Sequence, residues 1–263
     1  MKAVLHRRFE GQIRQATVSK TATGKFYISF LVETSELVPA KKPISESQAV
    51  GIDVGIKELV ICSDGERFEN PKNYRKAEKK LSRMNRWRSR KKKGSANRKK
   101  WNKKVAAQHE KISNKRKDMW HKISHELLSE YDTICVEDLN VKGMMQNRKL
   151  SKSIADAGWG MFFTMLNYKA AWRGKNILTI GRFEPSSKMC SICGVTNNSL
   201  MLKDREWTCE NGHTLDRDLN ASVNVKRIAF QKITNTGGLP GINACGDEAI
   251  VSSAKQEAHG LQA

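Results

Sequence analysis

Apolar and polar residues alternate along the first quarter of the chain. Two extended runs occupy residues 9–33 and are separated by a Thr-Gly turn. Three shorter apolar runs follow within residues 49–70, with Asp64-Gly65 as a hairpin turn. A spacing of two is typical of strands buried on one face. The pattern therefore predicts two strands, a Pro-containing linker over residues 37–48, and three more strands.

The middle of the chain changes to a helical spacing of apolar residues. A helix is predicted from Pro71 to about Ser89, and a second from Asn102 to Tyr131, with a break at the glycine-containing run between them. Strands are predicted at 131–141 and 175–185, an amphipathic helix at 154–174, and a last helix at 218–233. This order predicts a mixed α/β core with two insertions.

Composition narrows the class of protein. With 263 residues the chain can form one large or two modest domains. It has no apolar run of about 18 residues that would predict a membrane span, and its first residues do not resemble a signal peptide. Three of the six cysteines cluster with metal-binding spacing, which suits a reducing cytosol better than a disulfide framework.

Positive charge is concentrated in one segment. Residues 71–120 contain 21 lysines and arginines against three acidic residues, which accounts for +18 of the formal net charge of +21. Such a segment predicts a nucleic-acid partner, although a solvated charged face is the alternative. Trp87 and Trp101 could stack on bases, but packing between helices is the preferred interpretation. The candidate phosphate-binding residues are Arg86, Arg88, Arg90, Lys91, Lys92, Lys93, Arg98, Lys99 and Lys100.

Carboxylates occur at the ends of three predicted elements. Asp53 lies between two glycines that would leave room for a ligand, Glu137 follows a buried strand, and Asp216 and Asp218 begin the last helix. Singly, each has a structural explanation, such as a turn, a strand exit or a helix N-cap. Together they could bind two Mg²⁺ ions for phosphodiester hydrolysis. Nucleic-acid hydrolysis is therefore the leading hypothesis.

A Cys/His segment precedes the last helix. Cys190 and Cys193 are separated by two residues, and Cys209 and His213 by three, which fits a closed structural zinc site. Incidental cysteines, or a fourth ligand from elsewhere, are the alternatives. Gly212 stands where a fourth cysteine of a Cys-x-x-Cys pair would lie, so His213 is inferred to complete the site.

These motifs together resemble the TnpB family, the OrfB-type proteins of insertion sequences. The resemblance spans roughly residues 10–247 and rests on GIDVGIKELVICSDG, VEDLNVKGM, FEPSSKMCSICG, WTCENGHTLDRDLNAS and GINACGD. It implies an RNA-guided DNA endonuclease with an RNase H-like (RuvC) mixed sheet, an inserted basic helical hairpin and a zinc ribbon. Guide RNA and target DNA are the implied partners, together with a transposase of the same element, in the nucleoid of a prokaryotic cytoplasm.

The resemblance also assigns roles to residues. It implies that Asp53, Glu137 and Asp218 are the catalytic carboxylates that hold Mg²⁺ or Mn²⁺, with Asp216 the less favoured third member. It implies that Cys190, Cys193 and Cys209 bind zinc. A non-cleaving, repressor-like DNA- or RNA-binding protein of the same descent is the alternative, as is an RNA-binding protein that reads through its zinc knuckle.

The expected domains follow from the same resemblance. Residues 1–47 are expected to be the end of an N-terminal wedge-like β domain, so that the chain would be a truncated or decayed copy. The nuclease domain is expected at 48–186 and 214–233, with the basic insertion at 71–130. The zinc ribbon is expected at 187–213, and a flexible tail at 234–263.

Overall fold

The computed structural model describes residues 4, 8–201 and 204–235, so the GINACGD motif and most of the predicted tail lie outside the described residues. The chain divides into two compact units. The first contains the described residues up to Leu37 together with 73–117. The second contains 38–72 and the described residues from Asp118 onward.

The first unit contains the predicted hairpin and most of the basic helices. Strands β1 (Gln12–Lys20) and β2 (Phe26–Glu33) are antiparallel. Helix α1 spans Asn73–Ser89, and α2 spans Ala96–Glu130 and continues into the second unit. The predicted start of α2 at Asn102 is wrong by six residues because the Ser95 hydroxyl accepts a hydrogen bond from the Arg98 backbone N–H at 3.2 Å and caps the helix there.

The second unit is built on a five-stranded mixed sheet in the order β5-β4-β3-β6-β7. The strands β3, β6 and β7 are parallel to one another, and β4 and β5 form an antiparallel extension. Parallel neighbours place their carboxyl ends at the same edge of the sheet. The strands are β3 (Ala49–Asp53), β4 (Glu58–Cys62), β5 (Arg67–Glu69), β6 (Thr133–Glu137) and β7 (Asn176–Ile180).

The main core of this unit packs the end of α2 against two further helices. A short helix α3 (Val141–Met144) precedes α4 (Ser151–Ala157) and α5 (Trp159–Trp172). The prediction of one amphipathic helix over 154–174 is wrong because Gly158 adopts a left-handed φ of 75° and separates α4 from α5. Helix α5 buries one face, on which Phe162 stacks on Trp120 with ring centroids 4.4 Å apart, and exposes Thr164 and Asn167 on the other.

Helix α6 (Arg217–Asn235) packs directly on β3. A Cβ atom at Gly51 would lie 2.1 Å from the backbone oxygen of Ser222 and 2.7 Å from the backbone nitrogen of Lys226. The expectation that the glycines beside Asp53 leave room for a ligand is therefore wrong at Gly51, where the helix backbone fills the space. Small residues at the start of α6, Ala221 and Ser222, permit this close approach.

A small ribbon connects β7 to α6. Its strands β8 (Glu206–Thr208) and β9 (Thr214–Asp216) form an antiparallel hairpin, and β9 continues directly into α6. The buried side chains of Cys190, Trp207 and Cys209 form its small interior. Within the described part of the chain, no helix combines the length and the apolar composition needed to cross a membrane.

Candidate functional site

Three carboxylates meet at the carboxyl edge of the parallel strands. Asp53 ends β3, Glu137 ends the neighbouring β6, and Asp218 lies in the first turn of α6. Burial, followed by the negative charges of Asp218 and Glu137, raises the pKa of Asp53 to about 7, while the positive charge of Arg217 opposes the rise. The structure thus brings the three predicted catalytic residues close enough for their charges to interact.

Glu137 lies in a partly buried position at the end of β6. Burial raises its pKa, and the charge of the adjacent Asp138 adds to the rise. Asp138 itself is paired with Arg182, whose guanidinium lies 2.7 Å from the carboxylate. The two acidic neighbours therefore differ in their surroundings, and only Asp138 has an ion-pair partner among the described residues.

Asp218 is held by two arginines. The guanidinium of Arg205, in the ribbon, lies 2.9 Å from one carboxylate oxygen, and that of Arg217 lies 2.9 Å from the other. The backbone N–H of Arg217 also donates to the carbonyl oxygen of Arg205 at 2.7 Å. These contacts neutralise part of the negative charge and link the ribbon to the carboxylate site.

Asp216 has a structural role that its neighbour lacks. One oxygen of its carboxylate accepts hydrogen bonds from the backbone N–H groups of Asp218 and Leu219, at 3.0 and 2.9 Å, and so caps α6. The other oxygen lies 3.2 Å from the guanidinium of Arg67. Both oxygens are thus engaged within the fold, whereas it is Asp218 whose charge acts on Asp53.

The ribbon gathers the four predicted metal ligands. The ligand atoms of Cys190, Cys193, Cys209 and His213 all lie within 4.8 Å of one another, an arrangement that could hold a metal ion such as zinc. His213 Nδ1 lies 3.2 Å from Cys209 Sγ and 3.8 Å from Cys190 Sγ. A hydrogen bond from the Val195 backbone lowers the pKa of Cys193 to about 6, which favours the thiolate that binds metals.

Glycine conformation explains the Cys-x₃-His spacing. Gly212 has a φ of 80°, in the left-handed region, and its N–H donates to the carbonyl oxygen of Cys209 at 2.9 Å. The turn at the first pair of cysteines ends in the same way, at Gly194 with a φ of 79°. Because Gly212 forms the turn, the next residue, His213, brings its ring to the thiolates.

Two asparagines on α6, which the sequence motifs do not reveal as functional residues, fix the segment that enters the ribbon. Asn220 accepts a hydrogen bond from the Ser191 backbone N–H and donates to the Met189 carbonyl oxygen, each at 2.8 Å. Asn224 donates to the carbonyl oxygen of Ser186 at 2.8 Å. Both asparagines are buried. Their spacing of four residues on a helix with small neighbours was the available signal.

The nine candidate phosphate-binding residues all belong to the first unit, at the end of α1, in the connection and at the start of α2. Six are exposed, whereas Arg88, Lys91 and Arg98 are partly buried. The guanidinium of Arg98 donates to the Lys91 carbonyl oxygen at 3.0 Å and so helps to close the connection. Trp87 and Trp101 pack against each other with centroids 5.4 Å apart.

The mixed sheet, the acidic residues at its carboxyl edge and the helix packed on β3 define an RNase H-like fold of the RuvC type. Two solved structures share this fold. The first is a Cas12f1–sgRNA–target DNA complex, with a TM-score of 0.52 and 17% sequence identity, and the match covers 80% of this chain and 55% of that one. The second is a CRISPR-Cas12f ternary complex, with a TM-score of 0.50 and 20% identity, and the match covers 80% of this chain and 44% of that one. At these identities the likeness concerns the fold.

The matching family models and the relatives of similar sequence indicate a narrower group of proteins than the fold does. Residues 28–148 match the OrfB_IS605 family, described as probable transposase, and 159–225 match the Cas12f1-like TNB domain. A Streptomyces pristinaespiralis protein named "Putative RNA-guided DNA endonuclease" is 42% identical over 80% of this chain and 51% of its own length. InsQ of Escherichia coli K12, named in the same way, is 32% identical over 83% and 57%.

The chain belongs to the TnpB family of OrfB-type, transposon-associated proteins. A TnpB-like protein of Acanthamoeba polyphaga mimivirus, L79, is more distant, at 27% identity over 81% of this chain and 44% of its own length. The chain spans about half the length of the curated relatives that it matches.

Proposed function

We propose that this chain contains the nuclease core of a TnpB-type, RNA-guided DNA endonuclease. Asp53, Glu137 and Asp218 would together hold Mg²⁺ or Mn²⁺. The observation that carries the proposal is geometric: Asp53 and Glu137 end neighbouring parallel strands, and Asp218 lies in the first turn of the helix packed on β3, so that the charges of Glu137 and Asp218 act on the buried Asp53. Like charges held together in a folded protein are costly unless a cation offsets them, and carboxylate oxygens are the ligands that Mg²⁺ and Mn²⁺ prefer.

Each residue then has a definite part in the reaction. Bound ions would activate a water molecule and stabilise the charge that develops on the scissile phosphate. Asp53 must lose its proton to act as a ligand, so its pKa near 7 links metal binding to pH. Arg217, beside both Asp53 and Asp218, limits the repulsion between these carboxylates.

Specificity for a target would come from base pairing between the DNA and a guide RNA, while the protein would contact the phosphate backbones of both nucleic acids. The exposed lysines and arginines of the first unit would bind these phosphates through charge, independently of sequence. The names of the relatives support guide RNA and DNA as partners, and the OrfB match supports a link with insertion-sequence transposition.

The ribbon would bind zinc in a structural role. Three thiolates and one imidazole leave no open position for a substrate. Through Arg205 and the β9–α6 junction, an ordered ribbon would fix the position of Asp218.

Cleavage of labelled target DNA by the full chain with its cognate guide RNA and Mg²⁺ tests this function. We expect Asp53→Ala and Asp218→Asn to abolish cleavage. The matched control is Asp216→Asn, which lies two residues from Asp218 and keeps a good helix cap, so it should leave cleavage within a few-fold of the unaltered chain.

Equal activity of Asp53→Ala and the unaltered chain would contradict the catalytic assignment. DNA or RNA binding that persists without Mg²⁺, with no cleavage at any concentration of Mg²⁺ or Mn²⁺, would instead favour the non-cleaving binding protein.

A further inference from the structure

A cleft of about 370 Å³ opens beside Glu137 in the second unit. One wall is the segment 182–188, which leads from β7 toward the ribbon, and the other includes Leu200 and Met201 of the ribbon. Pockets for small ligands have volumes of roughly 300–1,000 Å³, so this cleft has room for one nucleotide and not for a duplex.

The ring of Phe183 is the most unusual feature of the cleft. It lines the cleft, yet 94% of the residue is exposed, so the ring packs against almost nothing. Met201 across the cleft is 55% exposed. Single exposed apolar residues are common on protein surfaces, whereas an aromatic ring and polar groups that converge on one cleft are typical of a ligand site. A flat aromatic ring offers a face on which any nucleobase can stack.

Most of the charged residues that line the cleft are paired within the fold. Glu184 is neutralised by Lys232 at 2.6 Å, Arg182 by Asp138 at 2.7 Å and Arg217 by Asp218 at 2.9 Å. Among the described residues, this leaves two lining charges without an ion-pair partner, the carboxylate of Glu137 and the ammonium of Lys188.

The turn that carries Lys188 also presents a hydroxyl. The backbone N–H groups of Lys188 and Met189 both donate to the Pro185 carbonyl oxygen, at 3.0 and 2.9 Å, and fix the turn. The Ser187 hydroxyl lines the cleft and has no hydrogen-bond partner within the described residues. A cation and a hydroxyl on a fixed turn are common phosphate contacts.

We propose that this cleft binds one nucleotide of a single strand whose backbone passes Glu137. Phe183 stacks on the base, while Lys188 and Ser187 contact the adjacent phosphate. A single strand is required because base faces are covered by stacking in a duplex. The inference rests on the proposed function, since the bound strand is the one that the three carboxylates would cleave.

The test measures stacking without cleavage. The full chain carrying Asp53→Ala is mixed, without added Mg²⁺ or Mn²⁺, with short thymidine oligonucleotides that contain one 2-aminopurine, a base whose fluorescence falls on stacking. We expect the fluorescence of the bound probe to be quenched. Phe183→Ala should remove that quenching and weaken binding roughly 5- to 150-fold, the range for loss of one base–aromatic stack. Phe183→Trp should retain both.

Two further variants separate stacking from general effects. Ile192→Ala removes an apolar side chain that is 61% exposed in the ribbon but does not line the cleft, and it should change neither signal. Lys188→Gln should weaken binding and reduce the slope of log affinity against log salt by about one.

Unchanged quenching and affinity in Phe183→Ala would overturn the subsite, even if the unaltered chain cleaves DNA. Conversely, Phe183-dependent quenching in a protein that cleaves nothing would establish the subsite and refute the proposed nuclease function. Equal effects of Phe183→Ala and Ile192→Ala would also overturn the inference, because they would indicate a general loss of ribbon structure.

Discussion

The pKa of Asp53 leads to a prediction about the stability of the protein without Mg²⁺. Its folded-state pKa is raised from 3.8 to about 7. Below about pH 3.8 the Asp53 carboxyl is protonated in both the folded and the unfolded states, and the neutral side chain makes its full contribution to the stability of the fold. As the pH rises toward 7 that stabilisation is lost, because the unfolded chain releases its proton first.

The magnitude follows from the shift. Three pKa units at about 1.4 kcal/mol each lower the free energy of unfolding by at most about 4 kcal/mol at about pH 8, and by about half of this at about pH 5.5. Asp53→Asn removes the charge. The variant should therefore be more stable than the unaltered chain in Mg²⁺-free buffer, and its advantage should grow by about 2 kcal/mol between these two pH values.

Urea unfolding at the two pH values measures the difference, without chelators so that zinc bound by the ribbon would be retained. Added Mg²⁺ at about 100 times its dissociation constant should stabilise the unaltered chain by about 2.7 kcal/mol and the variant far less. Glu36→Gln, an exposed change outside the site, should be neutral at both pH values. An advantage that does not change with pH, or an Asp53→Asn protein that is less stable at about pH 8, would refute this reasoning.

Three other outcomes are expected. His213→Ala should lower the zinc content of the purified protein, measured by atomic absorption, while His213→Cys should retain it. Gly51→Ala should destabilise the protein by about 1–3 kcal/mol in urea unfolding, because its Cβ would meet the α6 backbone at 2.1 Å; a smaller loss would mean that α6 can shift. Asp216→Ala should cost about 1–2 kcal/mol through loss of the helix cap, whereas Asp216→Asn should cost little by the same measurement.

Local signals made the elements and the ligand clusters predictable. Alternation located the strands of the sheet, and the spacing of cysteines located the ribbon, because these patterns depend on near neighbours in sequence. The acidic residues at strand ends could be grouped because parallel strands share an edge. The start of α2 was missed since Ser95 acts as a cap in a region otherwise dominated by charge.

Contacts between distant segments were not predictable in the same way. Arg205 and Asp218 lie 13 residues apart and meet only because the β8–β9 hairpin turns the chain back. The division of 154–174 into α4 and α5 depends on the left-handed conformation of Gly158, which the spacing of apolar residues does not reveal. Gly51 appeared to leave space for a ligand, but that space is occupied by a helix more than 160 residues later in the chain.

The direct passage of β9 into α6 determines where the length of this protein can change. Between Cys193 and Arg205 the described residues belong to no helix and to no named strand, so residues can be added to this outer loop without displacing an element. No loop that could accommodate an added residue lies between His213 and Asp218. One inserted residue there would rotate the carboxylate by about 100° around the helix axis and move it by about 1.5 Å. Natural or engineered variants of the ribbon should therefore differ in its outer loop and keep the count from His213 to Asp218.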